Sequence, residues 1–406
     1  MTESAVLLVA AAVFVWGLVS AGLERADLTA PVVFVALGGV LVATGIAEQA
    51  TDARAIRSLA EVTLVWVLFS DAARVRFRDL GPDTARYLRL LGVGLPLSVA
   101  IGWALAYWMF PGLGVWLALL VGAALAPTDA ALGLPVVTSP LVPARIRRLI
   151  TVESGLNDGI VTPVVMLALA GAASAEDLAG APTAWGAVAE LALGGAVGLG
   201  AGLVGGWLLR RARARRWAAE SFAGIAVLAL ALVAYTAAVA LGANGFVAAF
   251  CGGIAFGAAA GPRGSAELVF LEQAGGLVSL LVWVAFGIAV VPIMVERLDL
   301  TTVAYAVLSL TVVRMAPVAL CLLGAGLDRG SVLFVGWFGP RGLASLVFAL
   351  LAVEDLGPQA REAASVIGAT VCLSVLAHGF SAGPLAARYG RAMAARAAAP
   401  QTVPPG

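Results

Sequence analysis

About thirteen stretches of roughly twenty apolar residues fill most of this chain, and short segments containing Arg, Pro or Gly separate them. A helix of that length spans the hydrocarbon core of a bilayer. The chain is 61% hydrophobic and 12% charged, and its mean hydropathy of +1.00 means that apolar residues are not confined to one helix face. These values exclude a soluble globular protein, and continuously apolar runs such as 223–241 lack the alternation of a β-barrel. The sequence therefore predicts an all-α polytopic membrane protein in a lipid bilayer.

The distribution of arginine predicts the orientation of these spans. Nineteen of the 25 basic residues fall in loops on one side, four fall on the other, and Arg314 and Arg341 lie inside spans. Because cytoplasmic loops carry the excess of positive charge, we predict a multi-pass protein of the cell (inner) membrane with its N-terminus outside and its C-terminus in the cytoplasm. The expected spans are residues 5–22, 31–47, 58–72, 90–110, 115–137, 149–171, 186–209, 221–241, 244–260, 268–295, 301–325, 331–352 and 363–387.

Scarce residue types restrict the chemistry that this chain can perform. Lysine does not occur, which excludes a phosphate-loop lysine and a Schiff-base lysine, so we expect neither ATP binding nor a retinal chromophore. His378 is the only histidine, and Cys251, Cys321 and Cys372 lie singly in apolar runs without metal-ligand spacing. A net charge of +1 gives no indication of nucleic-acid binding. We therefore expect no cofactor.

Five charged residues fall within the apolar spans: Asp129, Glu153, Asp158, Arg314 and Arg341. Each would destabilise an inserted helix by roughly 2.5–3.5 kcal/mol if it lay unpaired at mid-membrane, whereas a whole folded domain is stable by only about 5–15 kcal/mol. These groups must therefore pair with one another, bind an ion or face water. A single pair would indicate a structural role, but three acids and two arginines beside helix breaks indicate a transport site.

Two spans contain residues that interrupt a helix. The fifth contains Ala126-Pro127-Thr128-Asp129, where Pro127 removes a backbone donor and leaves the carbonyl of Ala123 without its helical partner. The twelfth contains Gly339-Pro340-Arg341-Gly342 at a similar depth. Paired interruptions of this kind indicate a transporter site between inverted repeats, because loose backbone is tolerated where it lines a cavity. Spans one to six and eight to thirteen are therefore two predicted six-helix repeats of opposite orientation.

The ends of such half-helices carry partial charges that require compensation. An acid such as Asp129 suits helix N-termini that face each other, and an arginine suits facing C-termini. The interruptions and the intramembrane charges therefore belong to one predicted arrangement.

The sixth span opens with a polar segment at helical spacing. Ser154 and Asp158 lie one turn apart on one face, and Glu153 and Asn157 form the neighbouring stripe. A carboxylate, a hydroxyl and freed carbonyls of the fifth span are hard oxygen ligands, which suit Na⁺. Glu153 is better placed to pair with an arginine from another helix, and Arg314 is the candidate.

These motifs resemble the monovalent cation/proton antiporter superfamily, in its NhaP-like sodium/proton exchanger branch. The resemblance covers nearly the whole chain and includes Ala126-Pro127-Thr128-Asp129, Glu153-Ser154 with Asn157-Asp158-Gly159, Asn244-Gly245-Phe246, Gly339-Pro340-Arg341-Gly342 and His378-Gly379. It implies a thirteen-helix transmembrane domain over residues 1–395 and homodimers. The implied core helices are about 90–171 and 301–387, the dimer helices about 5–72 and 221–295, and the linker helix about 186–209, with a disordered cytoplasmic tail at 396–406.

The resemblance also implies roles for individual residues. Asp158 would carry the ion and the proton, with Asp129 and the Thr128 carbonyl as partners, Ser154 as a co-ligand and Asn157 as an orienting residue; Na⁺ would bind at Asp158, Asp129 and Ser154. Glu153 with Arg314 would be a structural pair, and Arg341 would stabilise the helix crossing. In this family an Asn before the carrier Asp, as at Asn157, goes with electroneutral exchange.

Two positions leave alternatives open. Many relatives carry a glutamate near the end of the third span, where this chain has Phe69-Ser70-Asp71. Asp71 either supplies that oxygen or is an ordinary charge at the cytoplasmic end, beside Arg74. His378 either packs the last span or senses pH, which the intrinsic pKa of about 6.5 of an imidazole would permit.

The function expected from the sequence is secondary antiport, without enzymatic activity. Asp158 would bind either a proton or a cation, which would be Na⁺ with Li⁺ or K⁺ as alternatives, and one-for-one exchange would follow because Asn157 is neutral. The rival interpretations are a K⁺/H⁺ exchanger on the same fold, an organic-anion symporter with inverted repeats, a channel and an intramembrane hydrolase. The symporter would require a more basic pocket, and the hydrolase lacks a nucleophile–base pair.

Overall fold

A computed structural model describes residues 3–24, 28–47, 53–75, 81–175, 184–261 and 265–398, and within these ranges it contains helices and no strands. The α-helices in chain order are α1 (Glu3–Glu24), α2 (Ala30–Ala43), α3 (Ala53–Arg74), α4 (Thr84–Arg89), α5 (Leu95–Met109), α6 (Gly114–Ala124), α7 (Leu134–Thr138), α8 (Ala144–Ala175), α9 (Ala184–Ala214), α10 (Glu220–Ala240), α11 (Gly245–Ala259), α12 (Ser265–Ala289), α13 (Val291–Arg297), α14 (Leu300–Leu308), α15 (Arg314–Cys321), α16 (Arg329–Trp337), α17 (Leu343–Leu356) and α18 (Arg361–Ala398).

Helix length and composition confirm an all-α integral membrane protein. Within the described ranges, eight helical stretches are long and apolar enough to cross a membrane. Three shorter apolar helices cover Ala30–Ala43, Pro111–Ala124 and Gly245–Ala259. Two of the eight stretches are continuous only because a π-helical turn joins their halves, at Leu90–Gly94 between α4 and α5 and at Ser309–Val313 between α14 and α15. Periodicity does not reveal such turns, because they insert one residue into an otherwise regular helix.

The two spans expected to be interrupted are interrupted. Helix α6 ends at Ala124 and α7 begins at Leu134, while α16 ends at Trp337 and α17 begins at Leu343. We refer to the two non-helical segments, residues 125–133 and 338–342, as the crossing.

Helix α18 is longer than the span expected at 363–387, and residues 396–398 belong to its last turn. The expectation of a disordered tail from residue 396 is therefore wrong for these three residues, and 399–406 lie outside the described ranges. Alanine-rich sequence favours helix continuation, and Arg396 also forms an ion pair with Asp328, which precedes α16. Hydrogen bonding from Ser331 and the charge of Arg396 hold the pKa of Asp328 below its usual range.

The helices pack as two groups. In one group α9, α10 and α12 surround α11 and α3, and α2 lies along α12. In the other, α5 packs on α6, α6 on α8, and α18 against α14 and α17. Contacts of α3 with α8 and α17 join the groups. The crossing lies between helices of the second group and shares a cavity with residues of α3 and α12.

A glycine stripe allows α9 to approach α11 closely. Every fourth residue of α9 along this face is glycine, at 194, 198, 202 and 206. A Cβ at Gly198 would lie 2.6 Å from the Ala248 Cα on α11, whereas one at Gly200, on the opposite face, would meet nothing within 4 Å. Small residues at this spacing favour helix association in lipid, because they bring two backbones into van der Waals contact.

We predict that Gly198→Ala destabilises the folded protein by about 1–3 kcal/mol, since the added methyl group must push two backbones apart. Gly200→Ala is the matched control, and it should leave stability unchanged or slightly increased because alanine is the better helix former. Thermal unfolding of the detergent-purified variants tests this prediction. Equal unfolding midpoints for the two variants would contradict it.

Candidate functional site

The two segments of the crossing are joined through their backbones. The Asp129 N–H donates to the carbonyl of Pro340 over 2.8 Å. A Cβ at Gly342 would lie 2.6 Å from the Asp129 Cγ, so that only glycine permits this approach. The Pro and Gly residues of both motifs therefore allow two extended segments to meet inside the protein.

Asp129 lies where α17 begins. Its Oδ1 accepts the Ala131 N–H over 2.8 Å, and its Oδ2 accepts the N–H of Leu343, the first residue of α17, over 3.3 Å. A carboxylate beside helix N-termini is stabilised by their partial positive charge and by hydrogen bonding to N–H groups that have no helical partner.

Arg341 lies at the opposite kind of helix end. The residue is fully buried, and its Nη1 donates to the carbonyls of Ala126 and Pro127, just after α6, over 2.9 and 3.1 Å. The expectation that Ala123 would have the free carbonyl is wrong, because the chain tightens after α6 and the Ala126 N–H donates to it over 3.3 Å. The carbonyls left without helical partners are the next ones along, and Arg341 compensates them.

Three polar side chains connect the crossing to α8. The hydroxyl of Thr128 accepts a hydrogen bond from the Asn157 Nδ2 over 2.8 Å and lies 2.9 Å from the Ser154 Oγ. All three side chains are buried. Asn157 therefore holds the Thr128 hydroxyl against α8 instead of facing the cavity described next.

Asp158 faces a cavity of about 890 Å³ between the two helix groups. Ser154, Thr128 and Asp129 line the same cavity. Asp158 is 9% exposed, and within the described ranges no side chain or backbone N–H donates to its carboxylate. A buried carboxylate without protein donors is free to take a proton or a cation.

Asp71 also lines this cavity. Its Cβ lies beside Gly155, between the turns that carry Ser154 and Asp158. Arg74, the residue beside which an ordinary surface charge was expected, forms an ion pair with Glu272 of α12, with its Nη2 2.6 Å from the Glu272 Oε1. Asp71 is thus a third acid that faces the same space as Asp158.

Glu153 and Arg314 form a two-pronged ion pair. The Arg314 Nη1 and Nη2 donate to the two carboxylate oxygens over 2.5 and 2.9 Å, and both residues are buried. A Cβ at Gly339 would lie 2.9 Å from the Arg314 Cζ. The pair therefore packs directly against the crossing without facing the cavity.

The described residues contain no cluster of three or more Asp, Glu, His or Cys side chains that could hold a metal ion. The oxygen atoms around the cavity come instead from separated carboxylates and hydroxyls. Such a set fits a weakly held monovalent cation better than a resident divalent metal.

Sequence reasoning missed Ser374 and left His378 with two interpretations. The Ser374 Oγ accepts the backbone N–H of Arg341 over 2.7 Å, and the His378 Nε2 lies 2.9 Å from the carbonyl of Trp337. The available signal was a serine one turn before the only histidine in an apolar span, at the depth of the second interruption.

Comparison with known proteins supports the same family as the motifs. Residues 8–388 match the family described as "Sodium/hydrogen exchanger, transmembrane". The K(+)/H(+) antiporter NhaP of Alkalimonas amylolytica is 26% identical over 345 residues, which cover 81% of this chain and 56% of that protein. The K(+)/H(+) antiporter NhaP2 of Shewanella oneidensis is 26% identical over 328 residues, covering 78% and 55%. This chain thus spans about half the length of these curated relatives.

The fold is that of a solved antiporter. The sodium proton antiporter MjNhaP1 from Methanocaldococcus jannaschii superposes with a TM-score of 0.75 and 18% sequence identity, covering 95% of this chain and 99% of that chain. The expected superfamily is confirmed by these findings together. Because the family match covers almost all of the chain, this protein belongs to the sodium/hydrogen exchanger transmembrane family, in the monovalent cation/proton antiporter superfamily.

Proposed function

We propose that this chain is a secondary antiporter that exchanges a monovalent cation for a proton at Asp158. The observation that carries the proposal is a buried carboxylate without hydrogen-bond donors, facing a cavity beside two interrupted helices. Paired interruptions mark the substrate site in transporters of this kind. Exchange through one carboxylate needs neither ATP nor a cofactor.

Competition at Asp158 explains the coupling. Burial disfavours the carboxylate anion, so that the side chain gains from neutralisation by either a proton or a cation. Only the proton-bound and cation-bound forms of the site can move between the two sides of the membrane over a low free-energy barrier, because the empty site would carry an uncompensated charge. Each cation bound therefore displaces one proton, and the neutral Asn157 adds no second exchangeable charge.

The transported cation is Na⁺ in this proposal, with K⁺ as the second candidate. Hard oxygen ligands from Asp158, Asp129, Ser154 and Thr128 suit either ion. K⁺ is supported by both curated relatives described above, which are K(+)/H(+) antiporters, and Na⁺ by the sodium proton antiporter of the same fold. Asp71, which is on α3 and lines the same cavity, is proposed as an additional oxygen ligand along the path.

We also propose the layout implied by the family resemblance: thirteen spans in two inverted repeats. Residues 90–171 and 301–387 would move as a core against a dimer domain of residues 5–72 and 221–295. The cavity supports this division because its wall draws on α3 and α12 of one group and α8 of the other. The protein would be a homodimer in the cell membrane with its N-terminus outside, so that Arg74 and Arg148 at the edge of the cavity face the cytoplasm.

An organic-anion symporter is disfavoured by the charges around the cavity. Asp71, Asp129 and Asp158 line it, and together they would repel an anion. Arg341 and Arg314 are both absent from its lining and are engaged by carbonyls and by Glu153.

The first prediction for transport concerns Asp158. In proteoliposomes, external Na⁺ or K⁺ should raise the internal pH with wild-type protein, because cation entry drives proton exit, whereas Asp158→Asn should abolish the response. The control is Asp299→Asn, an exposed helix cap whose oxygen the Asn side chain retains. Exchange that persists in Asp158→Asn would place the carrier elsewhere.

The second prediction concerns stoichiometry. Exchange of one proton for one cation moves no net charge across the membrane. The exchange rate should therefore stay the same when a membrane potential of either sign is imposed without a K⁺ gradient. Solid-supported-membrane recordings should show no sustained current upon a cation jump. A current that scales with the cation gradient would exclude one-for-one exchange.

The third prediction concerns the pair of Glu153 and Arg314, which we propose to be structural. Glu153→Gln should destabilise the protein by about 3–5 kcal/mol, because it leaves a buried guanidinium unpaired. The double variant Glu153→Gln/Arg314→Gln should unfold closer to wild type than this single variant does. Glu296→Gln, which removes an exposed pair with Arg361, is the matched control and should change stability by less than about 1 kcal/mol. A Glu153→Gln variant as stable as wild type would show that the pair is dispensable.

A further inference from the structure

The break between α16 and α17 leaves backbone groups that have lost their helical partners. The Arg341 N–H before α17 belongs to this set. The Trp337 carbonyl at the end of α16 has lost its helical partner and accepts only the Gly339 N–H, over 2.8 Å, so that its second lone pair is open to another donor. The Arg341 N–H is buried within the protein, where an unsatisfied backbone group is strongly disfavoured, and the Trp337 carbonyl is partly buried. A group outside the broken span must therefore satisfy the Arg341 N–H, and it can give the Trp337 carbonyl a second hydrogen bond.

Helix α18 supplies both partners from one face. Ser374 and His378 lie one turn apart on it. The Ser374 Oγ accepts the Arg341 N–H over 2.7 Å, and the His378 Nε2 lies 2.9 Å from the Trp337 carbonyl. Both side chains are at most 1% exposed.

The oxygen atoms around the imidazole favour one arrangement of its protons. A carbonyl oxygen only accepts, so the His378 Nε2 must carry a hydrogen and donate it to Trp337. The Ser374 Oγ already accepts from Arg341, and its own hydrogen can go to the His378 Nδ1, which lies 3.1 Å away. The resulting relay satisfies all three groups with a neutral ring protonated at Nε2. The Nδ1 also lies 2.9 Å from the Ser374 carbonyl. A ring protonated at both nitrogens could donate to both carbonyls, but it would add a positive charge near the buried Arg341 and Arg314 and would leave the serine hydrogen without this acceptor.

The relay acts on the residues of the crossing that matter for the ion site. The N–H that Ser374 accepts is that of Arg341, whose side chain compensates the carbonyls next to Thr128. The preceding carbonyl, of Pro340, accepts the N–H of Asp129. A shift of the 338–342 segment would therefore displace Thr128 and Asp129 together.

We propose that Ser374 and His378 are positioning residues that replace the missing helical hydrogen bonds of the α16–α17 break and so hold the cation ligands of the crossing in place. The effect that we expect on transport rests on the proposed antiport function. The hydrogen-bonded state of His378 does not depend on that function.

The first test is spectroscopic and uses the fact that His378 is the only histidine. Protein labelled with ¹⁵N-histidine gives a spectrum of this residue alone. We expect one neutral ring, protonated at Nε2 and unprotonated at Nδ1, near neutral pH, and a changed Nδ1 resonance in Ser374→Ala. A ring protonated at Nδ1, or a spectrum unaffected by Ser374→Ala, would overturn the proposal.

The second test separates positioning from packing. His378→Leu fills the space but removes the donor, and should raise the apparent KM for Na⁺ or K⁺ by about tenfold, the equivalent of about 1.4 kcal/mol, with a smaller change in maximal rate. His378→Gln keeps an N–H donor at a similar reach and should stay within about twofold of wild type. Ser381→Ala, which removes a hydrogen bond to the Trp337 side chain but none to the backbone of the break, is the matched control.

Equal KM values for His378→Leu and His378→Gln would overturn the positioning role. A wild-type protein that exchanges neither ion for protons would refute the proposed function instead, and the ¹⁵N spectrum would then decide by itself whether the relay exists.

Discussion

The compensation of helix ends inside the membrane is the interaction on which the rest of this structure depends. Asp129 accepts the N–H of Ala131 in its own segment and the N–H at the start of α17, and Arg341 donates to carbonyls just after the end of α6. Each charge thus satisfies groups that another span has left open, and a direct backbone bond ties the two segments together. Without both charges, two helices could not end inside the protein, because lipid supplies no water to satisfy their backbones.

The site follows from this arrangement. Since charge and backbone bonding hold the crossing against α8, Thr128 meets Ser154 and Asn157. The paired charges of Glu153 and Arg314 do not line the cavity. Asp158 is then the carboxylate of α8 left without protein donors. The same residues therefore separate two tasks: most intramembrane charges compensate one another, and one carboxylate stays available.

The sequence predicted the charges and the breaks because each is a local violation of a simple rule: a charge in an apolar run, or Pro and Gly in a helix. It also predicted which acid pairs with Arg314. It could not identify the free carbonyls, since Ala126 and Pro127 instead of Ala123 accept Arg341 only because the chain tightens after α6. The contact of Ser374 with Arg341 and the close approach of α9 to α11 depend on packing between distant spans.

The central claim is that one carboxylate binds either a proton or a cation. Proton release upon cation addition tests it most directly, with purified protein in weakly buffered detergent solution and a pH indicator. We expect Na⁺ or K⁺ to release protons, up to one per chain, and we expect no release at a pH high enough to deprotonate Asp158 beforehand. The variant Asp158→Asn should release none. Proton release of the same size from Asp158→Asn, or cation binding to the wild-type protein without any release across the pH range, would show that Asp158 is not the shared site.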